Sequence, residues 1–302
     1  MKTTTIYNNA FWNTMRGKHD RPTDLNEGGN DSSGYIVPSE FNDKYTRALE
    51  KENIFRRLGT VVNTNTREGT INVITSIGTA EWLRGMTAIP ESADGFKQIP
   101  VDSYKLAALS RIKNNFINDN NFNLEGYLEN EFSRRFGRVE ENAFINGNGV
   151  DEPTGILNAT GGGDIGLTVE NPFSISYDNI IKLYFSLKPE HRRNAVWLMN
   201  DETAYILRTL KDENGNYLWN NNDNTILGKP VYFSNYMPNI ESGKAPIAFG
   251  DLSYYWIIQR QPLTIKVLRE LFVINNEVGF TGYERLDGKL ILPEAVKLIK
   301  MV

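Results

Sequence analysis

The sequence contains no cysteine, and only two of its 302 residues are histidine. Without cysteine there are no disulfide bonds, thiolate nucleophiles, iron–sulfur clusters or cysteine-ligated zinc sites. A Ser-His-Asp triad would have to use His19 or His191. His19 lies in a polar stretch and His191 in a charged connection, so we expect neither to be buried and oriented for catalysis.

Long apolar runs and an excess of positive charge are also missing. No run approaches the ~20 residues that cross a bilayer, and the N-terminus has no hydrophobic signal segment. We therefore expect the protein to stay in the cytosol unless other machinery moves it. With 33 basic and 37 acidic residues the net charge is −4, whereas general nucleic-acid binders usually carry a basic excess.

The glycine-rich and acidic motifs do not form an enzyme site. Gly147-Asn148-Gly149 and Gly161-Gly162-Gly163-Asp164 lack a following Gly-Lys-Ser/Thr, so both are interpreted as flexible turns. The segments 119–123 and 212–216 lack the glycine that a calcium loop needs at its sixth position. Glu140 and Glu141 are helix neighbours that point about 100° apart, so a solvated helix face is expected. We predict no catalytic residue, cofactor or metal ligand.

The N-terminal forty residues are predicted to form an extended arm. Lys18 to Ser33 is almost wholly polar, and Ala10-Phe11-Trp12 and Tyr35-Ile36-Val37-Pro38 are apolar segments on either side of it. Such a strap is either ordered by lying across a neighbour or is a frayed terminus. A short helix is predicted from Ser39 to Asn53, where apolar residues recur every three or four positions.

A long hairpin is predicted next. Its first strand begins at Gly69 and leads to Glu81-Trp82-Leu83, and its return strand runs from about Gln98 to Ile112. The tip, Arg84 to Phe96, is far longer than the usual hairpin turn. Because isolated two-stranded ribbons are marginally stable in water, another subunit is expected to pack on it.

A long amphipathic helix is predicted after Asn121 or Asn123, ending at Gly147. Its apolar stripe consists of Leu124, Leu128, Phe132, Phe136, Val139 and Ala143. Helices and strands then alternate in a compact α+β subdomain at about 176–262. Within it and just beyond, separate strands are expected at Tyr254–Ile258 and Leu263–Leu268.

Eight fragments, taken in order, resemble the major capsid proteins of tailed bacteriophages with the HK97 fold. The match covers nearly the whole chain. The fragments are Ala10-Phe11-Trp12 with Met15-Arg16-Gly17, Ser33 to Pro38, Phe144 to Gly149 with Pro153 to Leu157, Trp197 to Asn200, Leu210-Lys211-Asp212 with Gly215, Leu227 to Val231, Phe249-Gly250-Asp251, and Tyr283-Glu284-Arg285 with Asp287-Gly288.

The resemblance implies an α+β, HK97-like capsid fold with four parts. These are an N-terminal arm (1–40), a hairpin E-loop (64–112), a peripheral domain (41–63, 113–175 and 263–302) whose spine helix is 122–146, and an axial domain (176–262). It also implies a structural protein, not an enzyme, that needs no cofactor. It would assemble with itself as hexamers and pentamers into an icosahedral phage head around double-stranded DNA.

The resemblance further implies a scaffolding protein or region, a portal and decoration proteins as partners, assembly in the host cytoplasm, and no membrane. As subunit-interface residues we expect Phe11, Trp12, Trp82, Arg84, Pro90, Glu91 and Phe96. Since the chain begins near the end of the family's scaffolding region, we expect a separate scaffold or a processed form.

The family's best-known member forms a lysine–asparagine cross-link assisted by a glutamate. Asn276 matches the asparagine, but Ile89 and Tyr283 stand at the other two positions, so no cross-link is expected. The alternatives are an encapsulin-type cargo shell and, in another class, a soluble carboxylate-dependent α+β hydrolase.

Overall fold

The computed structural model describes residues 4–18, 35–64, 69–76, 95–119, 121–171, 174–219 and 224–302. The helices in these ranges are α1 Thr5–Arg16, α2 Ser39–Glu52, α3 Ile54–Leu58, α4 Asn114–Asn118, α5 Leu124–Asn146, α6 Tyr177–Ser186, α7 Pro189–Arg192 and α8 Asp201–Arg208. The strands are β1 Tyr35–Ile36, β2 Thr60–Asn63, β3 Gly69–Ser76, β4 Gly95–Val101, β5 Tyr104–Lys113, β6 Asp164–Val169, β7 Val196–Met199, β8 Thr225–Ile226, β9 Lys229–Phe233, β10 Ile247–Gly250, β11 Tyr255–Leu268, β12 Glu277–Leu290 and β13 Val296–Met301.

These strands form two large sheets and one separate ribbon. The first sheet has five strands in the order β1-β11-β12-β5, with β2 parallel to the first part of β11. The second has six strands in the order β6-β13-β10-β7-β9-β8. Strands β3 and β4 pair only with each other among the described strands. The fold is therefore mixed helix and sheet, as the sequence predicted.

Helix α5 forms as its sequence predicts. The side chain of Asn123 caps it by accepting from the backbone N–H of Gly126, and the helix ends at Gly147. The apolar stripe packs with α1, α2 and the five-stranded sheet in one core. Val139 departs from the stripe, since its side chain is 52% exposed.

The predicted extended arm is wrong for residues 5–16, which form α1. Tyr7, Phe11 and Met15 recur every four residues and are fully buried in the core shared with α5. The guanidinium of Arg269 donates to the carbonyls of the last turn of α1, at Thr14 and Met15. The terminal helix is thereby a fixed part of the first core. Residues 19–34 of the predicted arm lie outside the described residues.

The predicted return strand of the hairpin is two strands. β4 pairs with β3, whereas β5 turns away after Val101 and pairs along ten positions with β12. The ribbon proper is therefore residues 69–76 and 95–101, and its tip at 77–94 lies outside the described residues. The predicted span 64–112 merged the ribbon with a strand of the five-stranded sheet.

The structure also shifts the predicted subdomain at 176–262. Its six-stranded sheet takes in β6 and β13, from residues 164–169 and 296–301. Strand β11 belongs to the other sheet. It is a single strand, where the sequence predicted two separate strands, and its pairing with β12 shifts register between Gln259 and Thr264. The register shifts lie at Pro262, because a proline has no backbone N–H to donate to a neighbouring strand.

Two chain segments cross side by side between the sheets. Residues 251–254 lead from β10 to β11, and residues 291–295 lead from β12 to β13. The backbone N–H of Asp251 donates to Ala295 at 3.0 Å, and that of Ile291 donates to Tyr254 at 2.9 Å. A methyl group on Gly250 would lie 2.3 Å from the Ala295 carbonyl oxygen, so glycine is required there.

Candidate functional site: assembly surfaces and their supports

The glycine turn after α5 is a tightly packed joint. The N–H groups of Ile156 and Leu157 donate back to the helix-end carbonyls of Phe144 and Ile145 at 2.8 and 3.0 Å. The N–H of Thr154 donates to Gly288 on β12 at 2.9 Å. A Cβ on Gly147 would lie 2.1 Å from the Pro153 carbonyl oxygen. The turn therefore fixes the end of the helix to the sheet.

A buried ion pair ties α5 to α3. Arg56 donates from Nε to Glu140 Oε2 at 2.9 Å and from Nη2 to Oε1 at 2.5 Å. The two side chains are only 3% and 1% exposed. Asn53 donates a third hydrogen bond to Glu140 at 3.2 Å. The expected solvated face is thus wrong for Glu140, and the bidentate pair fixes the geometry between the two helices.

Glu141 is buried as well, on another side of α5. Ser234 Oγ donates to Glu141 Oε1 at 2.6 Å, and the N–H of Ile54 donates to Oε2 at 2.9 Å. Burial raises the pKa of Glu141, while these two hydrogen bonds act in the opposite direction. The adjacent glutamates do point apart, as helix geometry requires, but each meets a buried partner.

Glu284 on β12 completes the charge cluster. It is fully buried and accepts a hydrogen bond from the Tyr45 hydroxyl at 3.4 Å. Burial, and then the negative charge of Glu140, raise the pKa of Glu284 well above its usual value. These surroundings therefore favour the protonated form of Glu284 over what an exposed glutamate would show. The cluster joins α2, α3, α5 and β12 through buried polar side chains.

The ribbon is held at its base. Just after β4, the N–H of Asp102 donates to Asp287 Oδ2 at 2.9 Å, and Lys289 Nζ donates to the Pro100 carbonyl at 2.5 Å. Burial raises the pKa of Asp287, and the hydrogen bond from Asp102 opposes that shift. Strand β12 thus fixes where the ribbon leaves the body of the subunit.

Of the seven predicted interface residues, the structure describes Phe11, Trp12 and the backbone of Phe96. Phe11 is fully buried in its own chain, so its side chain offers no surface to a neighbour. Trp12 is half-buried, with its ring 5.3 Å from that of Phe41. Phe96 lies in β4 opposite Ile74, and its side chain is outside the described ones. Trp82, Arg84, Pro90 and Glu91 lie outside the described residues.

An apolar turn that the sequence analysis missed lies between β11 and β12. Leu271, Val273 and Ile274 are 69%, 64% and 99% exposed. Single exposed apolar residues are ordinary, but three within four residues indicate a contact surface. We call residues 271–274 the apolar turn. Its sequence signal is the run Leu271-Phe272-Val273-Ile274 immediately before two asparagines.

His191, expected in a solvated connection, is instead 4% exposed. The rings of His191 and Tyr254 lie perpendicular to each other, with their centroids 5.1 Å apart. It lies with Glu190 and Glu294 in a group of side chains that could hold a metal ion. The sequence missed this group because Glu294 is about a hundred positions away.

Among the described residues, no helix has the length and apolar character needed to cross a membrane.

The sequence model of the phage capsid family matches residues 33–301. No curated protein matches the sequence. Among solved structures, the capsid of a native GTA particle is similar, with 26% identity, a TM-score of 0.68, and coverage of 94% of this chain and 100% of that one. The structure from Microbacterium phage Oxtober96 has 17% identity and a TM-score of 0.61, covering 83% and 91%.

Proposed function

Since this chain belongs to the phage capsid family, we propose that its copies assemble as hexamers and pentamers that close an icosahedral shell around double-stranded DNA. It is a major capsid protein that forms a phage head, and its place is the virion capsid. The family match and the capsid-like structures favour this function over a cargo shell. They favour it over the hydrolase alternative as well.

The separate ribbon is the observation that carries the proposal. Strands β3 and β4 form a two-stranded sheet that is anchored to β12 at its base. A two-stranded ribbon needs further packing for stability. A neighbouring copy of the subunit supplies that packing in a shell, where each ribbon lies across the next subunit.

The interface residues follow from that placement. We assign the ribbon contacts to Trp82, Arg84, Pro90, Glu91 and Phe96, which lie in the ribbon or its tip. Trp12 adds a half-buried aromatic ring at the surface of α1. Phe11 has its role inside the subunit, since its burial removes it from any contact surface.

The apolar turn is assigned as a second contact between copies. Its three exposed side chains would leave water when a neighbour covers them, which is favourable by about 25 cal/mol per Å². Many such small contacts, repeated around a closed shell, give the particle kinetic stability.

We further propose that a scaffolding protein or region, a portal and decoration proteins act with the shell, and that assembly takes place in the host cytoplasm. The shell encloses DNA without binding it tightly, because the net charge of −4 supplies no basic excess to neutralise phosphates. The subunit has no enzymatic role.

Ile89 and Tyr283 replace the residues of the family's cross-link, so denaturing gels of particles will show monomers. Covalent oligomers would contradict this.

Electron microscopy tests the assembly directly. Full-length protein is expected to form closed shells, and native particles are expected to protect DNA from nuclease. Replacing residues 77–94 by an Asn-Gly turn, which suits a two-residue hairpin, should leave folded subunits that form no shells. A second variant keeps those eighteen positions but scrambles their order.

The scrambled variant isolates the contacts from the length of the ribbon. If its tip contacts are specific, it fails to assemble as the shortened variant does. Normal shells from either variant would overturn the assignment of the ribbon tip as an interface. Native particles that protect no nucleic acid would favour the cargo-shell alternative.

A further inference from the structure

His191 has an unusual environment for a buried imidazole. Its side chain is 5% exposed, and neither ring nitrogen has a hydrogen-bond partner among the residues that the structure describes. Buried polar atoms in proteins nearly always have a partner. The ring of Tyr254 packs perpendicular to the imidazole, with 5.1 Å between the ring centroids. The nitrogens are therefore placed for a ligand that the chain alone does not supply.

Two carboxylates face the same nitrogen. Glu190 Oε1 lies 3.5 Å and Glu294 Oε1 lies 3.9 Å from His191 Nε2. These distances exceed the usual 2.7–3.2 Å of a hydrogen bond. Two ligands of a tetrahedral zinc ion, each about 2.1 Å from it, lie about 3.4 Å apart. The spacing is thus closer to that of ligands sharing one cation than to that of a hydrogen-bonded pair.

The donor atoms are also oriented by their neighbours. Lys188 Nζ pairs with Glu294 Oε2 at 2.7 Å, which leaves Oε1 of the same carboxylate turned to the imidazole. All three donor atoms lie within 4.8 Å of one another. The side chain of Glu190 is 67% exposed, so an ion can enter from solvent. The two carboxylates bring two negative charges toward a divalent cation, and the ammonium of Lys188 offsets one of them.

We propose that Glu190, His191 and Glu294 form a binding site for a divalent transition-metal ion of the zinc type. An imidazole ligand favours zinc, copper or nickel over magnesium and calcium, which prefer oxygen. With three protein ligands, water fills the fourth position. The ion joins α7 to the crossing segment 291–295, and so links the connection before β7 to the one before β13.

Cobalt and zinc titrations of the full chain test the site, with any affinity tag removed because tags bind the same ions. Co²⁺ is expected to give the strong visible bands of a tetrahedral site, and Zn²⁺ to displace it. His191→Gln and Glu294→Gln should each weaken Zn²⁺ binding at least about tenfold. The control His19→Gln, at the only other imidazole of the chain, should bind as the parent does.

Binding should also weaken as the pH falls, because protons compete with the metal for the imidazole. Zinc should raise the unfolding temperature of the parent and of His19→Gln equally, and should raise that of Glu294→Gln by less. Glu294→Gln keeps the imidazole, so it serves if His191→Gln does not fold. Equal zinc affinity in the parent and in either site variant overturns the proposal. So does an equal loss of affinity in His19→Gln, or a cobalt complex without tetrahedral bands.

Discussion

Replacing Arg56 by methionine is expected to produce a large loss of stability that depends on pH. Methionine keeps the apolar length of the side chain but removes the guanidinium that binds both oxygens of Glu140. The Glu140 side chain is 1% exposed, so it cannot turn to water without opening the contact between α3 and α5. Breaking a buried pair on one side typically costs about 3–5 kcal/mol.

Proton uptake sets a ceiling on the electrostatic part of that loss. A carboxyl with the ordinary glutamate pKa of about 4.3 can be neutralised at pH 7 for about 3.7 kcal/mol, and at pH 5.5 for about 1.6 kcal/mol. Once neutral, the buried carboxyl no longer needs a counter-charge. The free energy lost by Arg56→Met should therefore be about 3–4 kcal/mol at pH 7 and about 2 kcal/mol smaller at pH 5.5.

The measurement is guanidinium unfolding of dissociated subunits, followed by tryptophan fluorescence, at both pH values. Arg57→Met is the matched control, because Arg57 is exposed and its guanidinium stacks on Tyr232 at 4.8 Å. It should cost less than about 1 kcal/mol at either pH. A loss below about 1 kcal/mol for Arg56→Met at pH 7, or a loss that does not shrink at pH 5.5, would refute the reasoning.

Three further outcomes follow from the same structure. Glu284→Gln should be about as stable as the parent near pH 4.5 and more stable at pH 7. The raised pKa of Glu284 means that its contribution to the free energy of unfolding is complete at low pH and declines as the pH rises, whereas glutamine mimics the protonated form at every pH. Equal unfolding midpoints of variant and parent at both pH values would contradict this. Gly147→Ala should lower the free energy of unfolding by more than about 2 kcal/mol, because the added methyl group clashes with the Pro153 carbonyl. Gly215→Ala, at φ +84° with open space around it, should lower it by about 1–2 kcal/mol. A larger loss for Gly215→Ala than for Gly147→Ala in denaturant unfolding would exclude the packed joint. Ile274→Asp should reduce shell formation in electron micrographs while the circular dichroism of the subunit is unchanged. The control Val150→Asp, at another exposed apolar residue, should assemble normally. Full assembly of Ile274→Asp would show that the apolar turn is not a contact between subunits.

The sequence predicted those elements whose signals are local. The four-residue repeat from Leu124 and the capping amide of Asn123 are sufficient for α5 because a helix is defined by neighbours along the chain. The sequence excluded a phosphate loop at Gly147-Asn148-Gly149 but predicted a flexible turn, whereas the turn is tightly packed against the end of α5 and against β12. In α1, the repeat Tyr7, Phe11, Met15 carried the same kind of signal, but the polar residues around it concealed the helix.

The missed features depend on partners far away in sequence. Arg56 lies 84 positions from Glu140, and Ser234 lies 93 positions from Glu141, so no local pattern separates these buried carboxylates from solvated ones. Burial of His191 has the same origin, since Glu294 and Tyr254 reach it from other parts of the chain. Which strand pairs with β5 is likewise decided by the whole sheet.

The paired crossing between the two sheets has a mechanical consequence. Segments 251–254 and 291–295 run beside each other and share two backbone hydrogen bonds. A force that separates the two sheets is therefore borne by both chain segments at once. Neither segment can extend without breaking the hydrogen bonds that it shares with the other. Twisting one sheet against the other would also shear the buried apolar core in which residues of both sheets pack, among them Leu198 and Leu298 of one sheet and Ile257 and Leu286 of the other. The two sheets should consequently move as one rigid unit, so that changes of curvature across a shell are taken up at the contacts between subunits.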